Sequence, residues 1–129
     1  MLLAHHADPN IATKDDCVSP LYSASQNGHV DIVELLLQYN ADVNQADNAD
    51  RTPLHVAIIC GHVEVVKLFL SHNADTNQTK LCWPYLHMAA LVGHAEIVQI
   101  LLNHGVEVDM VNSFGSTALH IAAGKGHIE

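Results

Sequence analysis

Histidine and cysteine are the residue types in this chain that could hold a metal ion or act as nucleophiles. The sequence contains 11 histidines and 3 cysteines among 129 residues. Cys17, Cys60 and Cys82 form no close-spaced pair of the kind that binds zinc, and an odd number does not suit a disulfide framework. We therefore expect reduced thiols in an intracellular protein.

The histidines recur at a fixed period. Gly-His pairs begin at residues 28, 61, 93 and 126, which are 33, 32 and 33 residues apart. Residues that repeat in this way lie on successive structural units, about 10 Å apart if helices pack at their usual spacing, whereas zinc needs several ligands at about 2 Å. We therefore expect no metal site. The three histidine columns are His29, His62, His94 and His127; His55, His87 and His120; and His5, His72 and His104.

Motifs for catalysis are missing from the sequence. It contains no nucleophile elbow, no His-Glu-x-x-His pair and no glycine loop that could hold a phosphate. We predict that the chain is not an enzyme and needs no cofactor.

Composition and charge narrow the class of partner. Hydrophobic residues make up 49% of the chain and charged residues 15%, which suits a folded domain. The formal net charge of −9 disfavours nucleic acid and anionic lipid as partners. No apolar run approaches the roughly 18 residues that span a bilayer, and no signal peptide opens the chain. We expect a soluble protein in the cytoplasm, with the nucleus as the alternative.

The repeated unit predicts two short helices. In the second copy Thr52 can cap a helix, Pro53 suits its first position, and Gly61 can end it in the left-handed region. A second helix follows over 63–71. Helices of this length are unstable alone in water, so stacking between units must hold them. The pattern predicts helices near 20–26, 30–38, 53–59, 63–71, 85–91, 95–103 and 118–124, with no true sheet.

The unit resembles the ankyrin repeat. Thr52-Pro53-Leu54-His55-Val56-Ala57 matches the signature of that family, and the Gly-His pair and the Ala-Asp-x-Asn turn recur with it. The resemblance implies an all-α solenoid of stacked helix-turn-helix repeats. We expect one domain over 1–129, made of a partial repeat 1–13, repeats at about 14–46, 47–78 and 79–111, and a truncated repeat 112–129. Neither end carries a clear polar cap, so we expect the chain to be part of a longer array.

The resemblance also implies a function. Ankyrin repeats generally bind a protein partner on the concave surface formed by hairpin tips and first helices, without catalysis. We expect a monomeric binding module whose partner the sequence does not identify. The alternative is a regulatory or substrate-recruiting segment of a larger enzyme or channel. The candidate partner-binding residues are Asp15, Asp16, Asn48, Arg51, Ile59, Cys60, Leu81, Trp83, Leu91, Val92 and Phe114.

Two features of that surface lead to further expectations. Trp83 is either the anchor of an apolar patch or part of the core. It lies in the turn before Leu86, which is one residue shorter than the turn before Leu54 and could fold Trp83 onto the stack. An acidic rim of Asp15, Asp16 and Asp47 would steer a partner that carries basic residues.

The resemblance bears on two more residue types. It implies that the signature histidine ties neighbouring turns together through hydrogen bonds. It also implies that Asn44, with an acidic residue two positions before it and a leucine eight before, could be hydroxylated; the alternative is an unmodified turn asparagine.

Overall fold

A computed structural model describes residues 8–72 and 85–105, together with Thr117, His120 and Ala123. These residues form an all-α repeat fold with no strand in the described ranges. By contacts, the chain divides into two compact units, 1–74 and 75–129. The helices are α1 Pro20–Gln26, α2 Val30–Gln38, α3 Pro53–Cys60, α4 Val63–Ser71, α5 Tyr85–Val92 and α6 Ala95–Asn103.

The six helices confirm the predicted pattern, and α3 and α5 extend one residue further than expected. The seventh predicted helix, 118–124, lies mostly outside the described residues, although His120 and Ala123 are helical. The predicted absence of a sheet holds over 40–52, while 73–84 lies outside the described residues. None of the helices in the described ranges has the length and apolar run needed to cross a bilayer.

In the first unit, the first helix of each repeat, α1 or α3, begins at a hydroxyl cap followed by proline. The Ser19 hydroxyl accepts a hydrogen bond from the Tyr22 N–H at 3.1 Å, and the Thr52 hydroxyl accepts one from the His55 N–H at 3.2 Å. Proline follows both caps at a position where its missing N–H leaves no helical bond unmade. Gly61 ends α3 at φ +75, in the left-handed region that glycine enters without a Cβ penalty.

In the first unit, each of the four helices packs on two others: α3 contacts α1 and α4, and α2 contacts α1 and α4. All residues of α3 from Pro53 to Ile58 are buried, which explains why its apolar residues do not follow a single face. Val33, Val65, Val66 and Phe69 of the second helices are fully buried as well. In the second unit α5 packs on α6, and the buried residues of these two helices are Tyr85, Leu86, His87, Ala89, Ala90, Ile97 and Leu101.

The Ala-Asp-x-Asn turn connects one repeat to the next. The Asn10 side-chain oxygen accepts a hydrogen bond from the Asp42 N–H at 2.7 Å, and the Gln45 amide donates to the Asn10 carbonyl at 3.0 Å. Asp42 in turn accepts the Asn44 N–H at 2.9 Å. Asn44 itself is exposed, and its hydroxylation stays a prediction.

Candidate functional site

Two hairpin tips lie beside each other in the first unit. Hairpin 1, residues 13–18, is closed by a bond from the Thr13 N–H to the Val18 carbonyl at 3.0 Å. Hairpin 2, residues 47–51, is closed by a bond from the Asp47 N–H to the Arg51 carbonyl at 2.9 Å. Each tip contains one non-glycine residue in the left-handed region, Cys17 at φ +57 in hairpin 1 and an aspartate in the equivalent position of hairpin 2.

Asn48 holds these two hairpins in register. Its N–H donates to the Asp16 carbonyl at 3.0 Å, and its side-chain amide donates to the Asp15 carbonyl at 3.3 Å. The side chains of all three residues are exposed. Three of the residues expected to bind a partner are therefore brought together, with their backbone positions fixed by hydrogen bonds between repeats.

Asp47 does not belong to the acidic rim, and that expectation was wrong. Its side chain is 1% exposed, because the carboxylate points into its own hairpin and accepts N–H groups of that hairpin. One oxygen accepts the Ala49 and Arg51 N–H groups at 2.8 and 3.0 Å, and the other accepts the Arg51 Nε–H at 2.9 Å. The Tyr22 hydroxyl donates a further bond from the preceding repeat. Burial alone would raise the pKa of Asp47, but these bonds and the Arg51 charge outweigh it and lower the pKa.

Tyr22 stands where the other repeats have the signature histidine. It is buried, and burial, followed by its hydrogen bond to Asp47, raises the pKa of its hydroxyl. Sequence reasoning did not assign it a role. The signal was its position, since Tyr22 is 33 residues before His55 and is the one departure from histidine in that column.

The signature histidines are placed at the starts of their helices. In the last repeat, the ring Nδ1 of His120 accepts the Thr117 N–H at 3.3 Å and lies 2.8 Å from the Thr117 hydroxyl, so this ring bonds within its own turn. His55 is buried; burial and then the Arg51 charge lower its pKa, although Asp47 opposes them.

The Gly-His column forms a contact between neighbouring repeats. The His62 ring packs on Gly28 of the preceding repeat, and its Nε2 lies 3.0 Å from the Gln26 carbonyl. A shallow groove of about 270 Å³ lies along this contact, lined also by Val63 and Glu64. No group of three or more His, Cys, Asp or Glu residues suited to a metal ion occurs in the described part of the chain.

The remaining candidate residues lie at the ends of first helices or outside the described residues. At the end of α3, Ile59 is partly exposed and Cys60 is exposed with a free thiol. Leu91 and Val92, at the end of α5 in the second unit, are partly exposed. Leu81, Trp83 and Phe114 lie outside the described residues, and their roles stay predictions.

The family comparisons agree with this architecture. A family model described as ankyrin repeats (3 copies) matches residues 1–80, and one described as ankyrin repeats (many copies) matches residues 86–129. A comparison with curated proteins gives no match. The chain therefore belongs to the ankyrin repeat family, whose members generally act as protein–protein interaction modules.

Proposed function

We propose that this chain binds a partner protein, without catalysis, through a surface formed by hairpin 1, hairpin 2 and the end of α3. We call this surface the hairpin face. The described residues that form it are Asp15, Asp16, Asn48, Arg51, Ile59 and Cys60. Leu91 and Val92, together with Leu81, Trp83 and Phe114, are proposed to contribute to partner binding from the later repeats.

The main support for the proposal is the pair of hydrogen bonds by which Asn48 joins the two hairpins. The bonds from Asn48 to the backbone carbonyls of Asp15 and Asp16 involve no side chain of hairpin 1. Both carboxylates therefore stay exposed on a backbone that is already ordered. A preorganised surface loses less conformational entropy on binding than a mobile one, which favours affinity.

The charge of the hairpin face indicates the chemistry of the partner. Asp15, Asp16 and Asp50 are exposed, and Lys14 is the exposed cation of hairpin 1. The whole chain carries a formal charge of −9. A partner segment with lysine or arginine residues would be attracted to this surface and would associate faster at low ionic strength. Ile59 offers a neighbouring apolar contact.

The test is affinity capture with two charge-matched variants. The first, D15N/D16N, neutralises the carboxylates of hairpin 1 and leaves the carbonyls that bond to Asn48. The second, D31N/E34Q, removes the same charge from exposed positions of α2. Proteins retained by the wild-type chain are identified by mass spectrometry, purified, and measured by direct titration against all three forms.

The proposal predicts that a purified partner binds the wild type and D31N/E34Q alike and binds D15N/D16N more weakly, by about tenfold at low salt. Equal loss in both variants would indicate a general charge effect. Such a result, or a partner indifferent to both variants, would refute the hairpin face as the binding surface.

A further inference from the structure

We infer that Arg51 is a carboxylate-binding residue of the hairpin face, and that this face takes a partner segment with an acidic residue close to basic ones. The inference rests on the proposed function and names the chemistry of the partner.

Asp47 accepts a hydrogen bond from the Nε–H of the Arg51 guanidinium and not from its terminal nitrogens. The Nε–H of Arg51 donates to one Asp47 oxygen at 2.9 Å. Asp47 also accepts two backbone N–H bonds, from Ala49 and Arg51, and a bond from the Tyr22 hydroxyl. These four bonds satisfy a buried carboxylate without the terminal nitrogens of Arg51. Among the described residues, none accepts a hydrogen bond from the two Nη groups, and the Arg51 side chain is 48% exposed.

A guanidinium held in this way suits a second carboxylate. Its two terminal nitrogens form a planar fork that can donate two parallel hydrogen bonds to both oxygens of one carboxylate. The bond to Asp47 already restricts the Arg51 rotamers, so less entropy is lost when a ligand binds. Lys14, the exposed cation of hairpin 1, has no side-chain partner among the described residues and is a point charge without this geometry.

The surrounding charges limit which carboxylates can bind. Asp47 forms an ion pair with the guanidinium of Arg51. Asp15, Asp16 and Asp50 are exposed on the two hairpin tips. An acidic segment without basic residues would be repelled by these groups. A segment that offers one carboxylate to Arg51 and neighbouring lysines or arginines to the aspartates satisfies both charges. The predicted ligand is thus a mixed-charge peptide segment.

The test begins with a random-peptide phage library selected on the immobilised 129-residue chain. We expect the enriched peptides to carry Asp or Glu beside Lys or Arg. One enriched peptide is then synthesised in two forms, the parent and a form with its acidic residue changed to the amide. Both are titrated against the wild type, R51K, R51Q and the control K14Q, and thermal unfolding of each variant is followed by circular dichroism.

R51Q and R51K should each bind the parent peptide at least about tenfold more weakly than the wild type does. Against the amide peptide the same substitutions should change affinity less than about twofold, because the fork then has no carboxylate to bind. K14Q should bind both peptides within about threefold of the wild type. R51K, which keeps the charge but loses the fork, separates geometry from charge.

Two results would overturn the inference. If R51Q weakens both peptides equally, Arg51 acts only by balancing Asp47 within the fold. If D15N/D16N lowers the affinity for the peptides while R51K and R51Q do not, the hairpin face binds protein but Arg51 is not the carboxylate site. A failure to enrich peptides, or peptides indifferent to D15N/D16N, would instead refute the proposed function, and this inference with it.

Discussion

The imidazole of His62 occupies the space in which a side chain at Gly28 would lie. A Cβ atom built on Gly28 would come within 2.7 Å of two ring atoms of His62, and Gly28 has a φ of +70. The His62 Nε2 lies 3.0 Å from the Gln26 carbonyl, which the ring reaches across the same glycine. The glycine of one Gly-His pair thus makes room for the histidine of the next.

Gly28→Ala should therefore be more destabilising than alanine at a glycine with open space. We expect a loss of about 2 kcal/mol or more in the free energy of unfolding, from backbone strain and the collision with His62. Gly105→Ala is the matched control, because Gly105 also has a positive φ, +92, but no atom lies within 4 Å of the added Cβ. It should cost about 1 kcal/mol. Urea unfolding measures both, and equal losses would contradict the packing argument.

Asp47→Asn should destabilise the protein in a pH-dependent way. The pKa of Asp47 is lowered from its ordinary value of 3.8, so its contribution is complete above that pH and is lost as the pH falls through the lower pKa of the folded state. At pH 7 we expect a cost of about 1–3 kcal/mol, since the ion pair with Arg51 is lost in a buried position. The cost should shrink toward pH 2.5 in urea unfolding. The exposed control Asp50→Asn should change stability by less than about 0.5 kcal/mol.

Because of His55, the free energy of unfolding should decrease as the pH falls into the mildly acidic range. Burial and then the Arg51 charge lower the pKa of His55 from 6.5, against the opposing effect of Asp47. The unfolded chain therefore takes up a proton at a higher pH than the folded chain does. Stability from this group is complete above pH 6.5 and declines as the pH falls toward the folded pKa. Urea unfolding from pH 7.5 to 5 should show a smaller decline in His55→Gln than in the wild type; identical slopes would exclude His55 as the cause.

The histidine columns should not bind zinc tightly. Their members recur on successive repeats, and a zinc ion needs several ligands at about 2 Å. Calorimetric titration of the chain with zinc should reveal no stoichiometric binding at micromolar affinity. A saturating transition at one zinc per chain would contradict the prediction.

Trp83→Ala should distinguish the two roles considered for the single tryptophan of the chain. If Trp83 is an interface anchor, its replacement by alanine should cost about 2 kcal/mol of binding free energy and change folding stability little. As a core residue, it should cost about 3–5 kcal/mol of folding stability. We expect the first result, measured by titration with a captured partner and by urea unfolding. A blue-shifted tryptophan emission in the free protein would favour the core.

The helices could be predicted from sequence because their boundaries depend on local signals. Thr52 and Pro53 start α3, Gly61 ends it, and the same signals recur at the repeat period. The extra residue at the end of α3, Cys60, falls within the usual uncertainty of helix ends.

The hairpin face was harder to predict, because exposure in a short turn depends on which way each side chain points. Asp15 and Asp47 are both hairpin aspartates, yet Asp15 is exposed and Asp47 is buried. Asp47 turns inward because its own hairpin offers two N–H groups and the preceding repeat offers the Tyr22 hydroxyl. That choice depends on contacts between repeats, which residue spacing alone does not describe.

The number of residues between the two partners of each bond between repeats also affects how the protein folds. The partners are separated by 32 residues for Asn10 and Asp42, 33 for Asp15 and Asn48, and 36 for Gln26 and His62. Loop-closure entropy grows with the logarithm of loop length, so these three contacts differ in closure cost by only about 0.1 kcal/mol. Loop length therefore does not select which contact forms first. We expect folding to begin around α3, because its cap and proline favour helix initiation and its residues 53–58 are buried.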